Sequence, residues 1–152
     1  MRVGLISDTH GLLRPQALER LRGASHIIHA GDIGAAEILA ALRALAPLTA
    51  VRGNNDRAAW ARAVRPTEAV QIGEVRVYVV HDLAELDVDP AADGFRVVVS
   101  GHSHRPRVEE RAGVLYVNPG SAGPRRFRLP VAVARLEIDG ASVRATIEEL
   151  EV

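Results

Sequence analysis

Short apolar runs recur along the chain, and the segments between them change character about a third of the way through. Arg2-Val3-Gly4-Leu5-Ile6-Ser7 predicts a buried strand. Pro15 to Arg22 predicts a helix, with Pro15 in its first turn and Gly23 as its stop. His26-Ile27-Ile28-His29 reads as a second strand, Ala35 to Ala46 as a second helix ended by Pro47, and Leu48-Thr49-Ala50-Val51 as a third strand. Strands alternating with helices of this length predict βαβ units and a parallel sheet. Later the pattern becomes hairpins. Ala69–Ile72 and Val75–Val80 flank Gly73-Glu74, Val108–Arg111 and Val114–Val117 flank Ala112-Gly113, and Val131–Ile138 and Ser142–Glu149 flank Asp139-Gly140. Arg96-Val97-Val98-Val99-Ser100 adds one more buried strand. Between the halves, Arg57–Val64 reads as a helix with Asp56 as its N-cap. The expectation is a four-layer αββα sandwich of the α/β (α+β) class. Two mixed sheets lie face to face, flanked by helices, with the site at the strand C-terminal edge. No repeat or linker interrupts the pattern, so residues 1–152 are expected to form one domain.

The polar residues fall where these strands end. The first is followed by Ser7-Asp8-Thr9-His10, the second by Ala30-Gly31-Asp32, and the third by Arg52-Gly53-Asn54-Asn55-Asp56. Val75–Val80 is followed by His81, and Val97–Val99 by Ser100-Gly101-His102-Ser103-His104. Sites in open α/β sheets lie outside the carboxyl ends of the strands. One rim therefore receives Asp8, His10, Asp32, Asn54, His81, His102 and His104. Carboxylate, amide and imidazole ligands without thiolate suit borderline divalent ions such as Mn²⁺, Fe²⁺, Ni²⁺ or Zn²⁺. Seven side chains exceed one tetrahedral ion but serve two if a carboxylate bridges, and such a pair could clamp a phosphoryl group in displacement. Taken singly, Asp-x-His, Gly-Asp and Gly-Asn are common turn sequences; their order at successive strand ends points to metal.

Composition narrows the chemistry. The 152 residues contain no cysteine, which removes disulfides and thiolate sites. Nineteen basic residues balance nineteen acidic ones, which argues against a long nucleic acid as partner. All the basic residues are arginine, so Schiff-base and P-loop lysines are excluded. No apolar run is long enough to cross a bilayer, and Asp8 follows the start too closely for a signal peptide, so a cytoplasmic protein without membrane partners is expected.

Asp8-x-His10, Gly31-Asp32, Gly53-Asn54, His81 and Gly101-His102-Ser103-His104, in this order, resemble the five motifs of the calcineurin-like metallophosphoesterase superfamily. The length and the stretch Asn118-Pro119-Gly120-Ser121 resemble its small YfcE-type phosphodiesterase branch. The similarity of arrangement runs from about residue 1 to 140. It implies that Asp8, His10, Asp32 and His104 hold one ion and that Asp32, Asn54, His81 and His102 hold a second, with Asp32 bridging. It implies two divalent ions, manganese first with nickel, iron or zinc as alternatives, and a hydrolase attacking a small phosphodiester or nucleotide-type substrate with a metal-bridging hydroxide. Asp8, Asp32, Asn54, His81, His102 and His104 are then the catalytic set, and Asn55 and Arg125 are substrate-binding candidates. Small relatives often self-associate, which admits a homo-oligomer. A phosphomonoesterase and a non-catalytic interaction scaffold, as in the retromer subunit of related fold, are the alternative readings.

Three positions depart from the family pattern. Asn55 stands where many larger relatives carry a histidine, Asp82 follows His81 where glycine is usual, and Leu83–Gly94 is short on helix because Asp87, Asp89 and Pro90 interrupt it. His29 reads as a core or supporting histidine and His26 as a strand-start residue. Arg125, Arg126 and Arg128 form a basic cluster suited to phosphate, and Trp60 reads as packing in a core or covering a pocket.

Overall fold

A computed structural model describes residues 1–152. Ten strands form two five-stranded sheets. The first runs β10 (Ser142–Glu149), β9 (Ala132–Asp139), β1 (Arg2–Ile6), β2 (His26–His29), β3 (Leu48–Ala50). The second runs β4 (Thr67–Ile72), β5 (Val75–Val80), β6 (Val97–Val99), β8 (Val114–Asn118), β7 (Arg107–Arg111). β1, β2 and β3 are parallel, as are β5, β6 and β8, and the hairpin partners β9, β10, β4 and β7 pair antiparallel. Both sheets are therefore mixed, as expected.

Side-chain alternation explains the layering. Val3 and Leu5 of β1, Ile28 of β2, Val75, Val77 and Val79 of β5, and Val97 and Val99 of β6 meet in one core between the sheets. The opposite face of the first sheet, with Ile6, Ile27 and Val133, is covered by Ala17 and Leu21 of α1 (Pro15–Leu21) and Ile38, Leu39 and Leu42 of α2 (Ala36–Arg43). The outer face of the second sheet carries Tyr78, Val80, Val98 and Val114 under Phe95, Leu86 and Val88. There the flanking layer is only a 3₁₀ turn, Leu83–Glu85, and a turn-rich loop. No helix is long and apolar enough to cross a membrane.

Three local expectations are corrected. The second helix stops at Arg43 instead of Ala46. Arg57–Val64 is not an α-helix but a 3₁₀ turn over Ala59–Ala63. Asp56 does not cap it; Ala58 occupies the cap, and the Asp56 carboxylate turns inward to accept the N–H groups of Ile33, Gly34 and Gly53 at 3.0–3.1 Å. Three backbone donors that would otherwise be orphaned outweigh one exposed helix end. Trp60 packs partly buried against the helix-side core.

The candidate metal centre

The C-terminal ends of β1, β2, β3, β5 and β6 open onto one rim, and the loops there are tied to one another by backbone hydrogen bonds. Asp8 N donates to Gly31 O at 3.0 Å, His10 N to Asp32 O at 2.9 Å, Ala122 N to Ser7 O at 3.0 Å and Gly101 N to His81 O at 2.9 Å. Asp8, His10, Asp32, His102 and His104 all have positive φ, between 46° and 70°. Left-handed backbone is uncommon for non-glycine residues and costs roughly 1–3 kcal/mol each, so it persists only where the surroundings enforce it. Five of the seven predicted ligands are held this way. The sequence carries no local signal of it, because none of the five is glycine or asparagine.

Five of the seven side chains converge. His81 Nε2 lies 3.3 Å from Asp32 Oδ2 and 3.9 Å from Asp8 Oδ1. His104 Nε2 lies 3.4 Å from Asp8 Oδ1, and His10 Nε2 lies 3.8 Å from Asp8 Oδ1 and 3.7 Å from Asp32 Oδ2. Their ligand atoms form two overlapping groups, Asp8–His10–His104 and Asp8–Asp32–His81, with Asp8 common to both. Asp8, Asp32, His81 and His104 are buried, whereas His10 is partly open. The other two stand at the rim. Asn54 and His102 are exposed and line, with His81, Asp82 and Arg52, a cavity of about 210 Å³. The His102 ring sits 5.2 Å from that of His81, nearly perpendicular to it. Asp82 is turned away from His81: one oxygen caps Ala84 N at 3.0 Å, and the other lies 3.7 Å from His102 Nε2.

Each converging donor is oriented from behind. His81 Nδ1 donates to the Ala30 carbonyl at 2.7 Å, which leaves the Nε2 lone pair aimed at the carboxylates. Asp8 Oδ2 accepts from Ser7 Oγ at 2.8 Å and His102 N at 3.2 Å, leaving Oδ1 free. Asp32 accepts from Asn55 on both oxygens. Asn118, unmarked in the sequence reading, fixes the Gly101–His104 loop through Nδ2 to Gly101 O at 2.9 Å and Ser103 Oγ at 3.1 Å. His29 is fully buried and wholly satisfied. Its Nδ1 accepts from Gly31 N at 3.1 Å, its Nε2 pairs with Thr9 Oγ1 at 3.0 Å, and Thr9 Oγ1 donates to Ile33 O. His26 pairs with Thr49 Oγ1 at 2.8 Å, away from the site. Two glycines make room: a Cβ on Gly53 would collide with Asp32 Oδ1, and one on Gly101 with Ser7 Oγ.

The electrostatics match the packing. Burial raises the Asp32 pKa, but His81 and the Asn55 N–H outweigh it and hold the carboxyl well below its usual range. Burial lowers the His81 pKa, yet Asp32 and Asp8 together push it above its ordinary value. For His29 burial prevails over the nearby carboxylates and lowers the pKa to about 4. Asp8 Oδ1 and His81 Nε2 are buried without a hydrogen-bond partner. Such groups are rare and costly unless something absent from the protein itself satisfies them. A carboxylate oxygen and imidazole nitrogens facing one another fit a borderline divalent cation. Arg125 is exposed, beyond the Ser121–Gly123 loop that backs onto Asp8 and Thr9, where Ser121 Oγ donates to Asp8 O.

Comparison with known proteins agrees with this geometry. A family model described as the calcineurin-like phosphoesterase superfamily domain matches residues 1–141. A protein of Methanothermobacter thermautotrophicus named "Probable metallophosphoesterase" is 35% identical over 162 aligned residues, covering 97% of this chain and 91% of that one. A solved archaeal phosphodiesterase superposes with a TM-score of 0.79 at 24% identity, covering 97% of this chain and 100% of that chain. Zinc-bound Vps29 from Entamoeba histolytica superposes at 0.76 with 24% identity, covering 98% and 99%. The last two share the fold.

Proposed function

The chain belongs to the calcineurin-like phosphoesterase superfamily, and on that premise we propose that it is a metal-dependent phosphodiesterase acting on a small phosphodiester. Asp8, His10, Asp32, His81 and His104 would be metal ligands, joined at the rim by Asn54 and His102, and the set would hold two divalent ions, manganese by preference. The observation that carries this reading is Asp8 Oδ1, a buried carboxylate oxygen without a hydrogen bond and facing three imidazoles. Bound divalent ions would supply Lewis acidity for the charge that develops on the phosphoryl oxygens and would activate water.

The protein's own residues supply orientation. Ala30 O selects the His81 tautomer, Asn55 holds Asp32 ionised, and Ser7 with the His102 N–H fixes which oxygen of Asp8 is free. This preorganisation means that little rearrangement is needed as charge builds. Asn55, read from sequence as a substrate contact, supports a carboxylate instead, so Arg125 and the rim cavity with Arg52 are the remaining candidates for phosphate contact. A phosphomonoesterase would use the same centre with a different pocket. A non-catalytic platform is suggested by likeness of fold to Vps29, and it gives no reason for unpaired buried ligand atoms. Hydrolysis of an aryl phosphodiester with added Mn²⁺ tests the proposal. Wild type should turn over, and Asp32→Ala and His104→Ala should each lose about 10³-fold or more. Unchanged rates in both variants would end it.

A further inference from the structure

Beside the metal centre lies a second cavity, of about 250 Å³, on the outer face of the second sheet. It shares Asp82 and His102 with the rim cavity of Asn54 and His81, so the two adjoin at these residues. It exists because the flanking layer is thin there. Residues 83–94 cover Tyr78 and Val98 with Leu86, Val88 and Phe95, and contribute only Leu83 near Tyr116. In the antiparallel pair β7–β8, Glu109 stands opposite Tyr116 and Arg107 opposite Asn118, so the side chains at 107, 109 and 111 share the face of Tyr116. Arg111 lies flat over the Tyr116 ring, 4.2 Å from its centroid. Glu109 is engaged by Arg107 and Arg111. Arg105, in the same wall, takes part in no ion pair.

We propose that this cavity is the subsite for the organic arm that stays on the phosphoryl group, and that this arm is a nucleoside. The inference rests on the phosphodiesterase reading and names its substrate class. A guanidinium stacked on an aromatic ring presents a second planar face on which a base can stack. Glu109 offers a carboxylate acceptor for base N–H groups, and Leu83 an apolar edge for the sugar. The volume suits a nucleoside, and the shared wall at His102 puts its phosphate toward the candidate ligands. Arginine outnumbers acid in the lining, which favours the anion that joins the two cavities.

The test compares thymidine 5′-(4-nitrophenyl phosphate) with ethyl 4-nitrophenyl phosphate, which share a leaving group and differ only in the retained arm. Wild type should favour the nucleoside ester in kcat/KM by about 30-fold or more, and Arg111→Ala or Leu83→Trp should cut that ratio about tenfold while the ethyl ester stays within about twofold. In parallel, thymidine 5′-monophosphate titrated into the zinc-loaded protein should shift the amide NMR signals of Leu83, Gly101 and Tyr116. A ratio near unity, or one that both variants leave intact, overturns the subsite while leaving the phosphodiesterase reading standing. Shifts in the cavity without hydrolysis of either ester support the subsite and defeat the phosphodiesterase reading instead. An absence of shifts in the cavity overturns the subsite.

Discussion

Asn55 grips both oxygens of Asp32: its backbone N–H reaches Oδ1 at 2.9 Å and its side-chain amide reaches Oδ2 at 3.1 Å. Sequence alone makes Asn55 a substrate contact; its position makes it a support for a candidate metal ligand. The two roles separate by measurement. Asn55→Ala keeps the backbone bond and loses the other, so metal affinity should fall about tenfold with KM for an aryl diester at saturating metal little changed. A raised KM with unaltered metal affinity would return Asn55 to the substrate.

Asp56 has the reverse history, expected at a helix end and found satisfying three buried N–H groups. Asp56→Ala would orphan all three and should cost about 3–5 kcal/mol in urea unfolding. A loss below about 1 kcal/mol, the size of a helix cap, would contradict this account.

The glycine cradle at Gly101 gives a third prediction. A Cβ there would land on Ser7 Oγ and 2.7 Å from Asp8 Oδ2. Gly101→Ala should therefore weaken metal binding about 10–100-fold by displacing Asp8, with the circular dichroism spectrum retained. Wild-type affinity in a folded Gly101→Ala protein would show that Asp8 has slack.

His29 sets part of the acid limit. Its folded pKa, about 4 against an ordinary 6.5, lies below the unfolded one, so the unfolded chain binds more protons between these values. Its contribution is full above pH 6.5 and is lost as pH falls toward 4, amounting to about 3 kcal/mol. His81 acts in the opposite sense, because its raised pKa makes a contribution that is lost as pH rises. The difference between wild type and His29→Asn, each metal-free, isolates the first effect. The wild-type stability should fall more steeply between pH 6.5 and 4, and parallel curves would contradict a neutral buried His29.

Much of this was legible in the chain because strand ends are legible. Alternating apolar residues identify β1, β2, β5 and β6, and whatever follows such a strand must surface at one rim, which gathered Asp8, Asp32, His81 and His104 before any coordinates. Hairpins were readable from Gly73, Gly113 and Gly140. What stayed hidden depends on contacts between distant segments. Asn118 holds a loop seventeen residues away in sequence, and Asp56 one about twenty-three away, through hydrogen bonds that no local periodicity encodes. The left-handed backbone at His10 and His104 is likewise imposed by tertiary structure against local preference.

Metal content after equilibrium dialysis against Mn²⁺, compared between wild type and Asp8→Asn, tests the central claim most directly. Asp8 Oδ1 is common to both donor groups, so wild type should retain about two ions per chain and the variant well under one. A wild-type protein that retains none, or an Asp8→Asn protein that retains as much as wild type, would contradict the account.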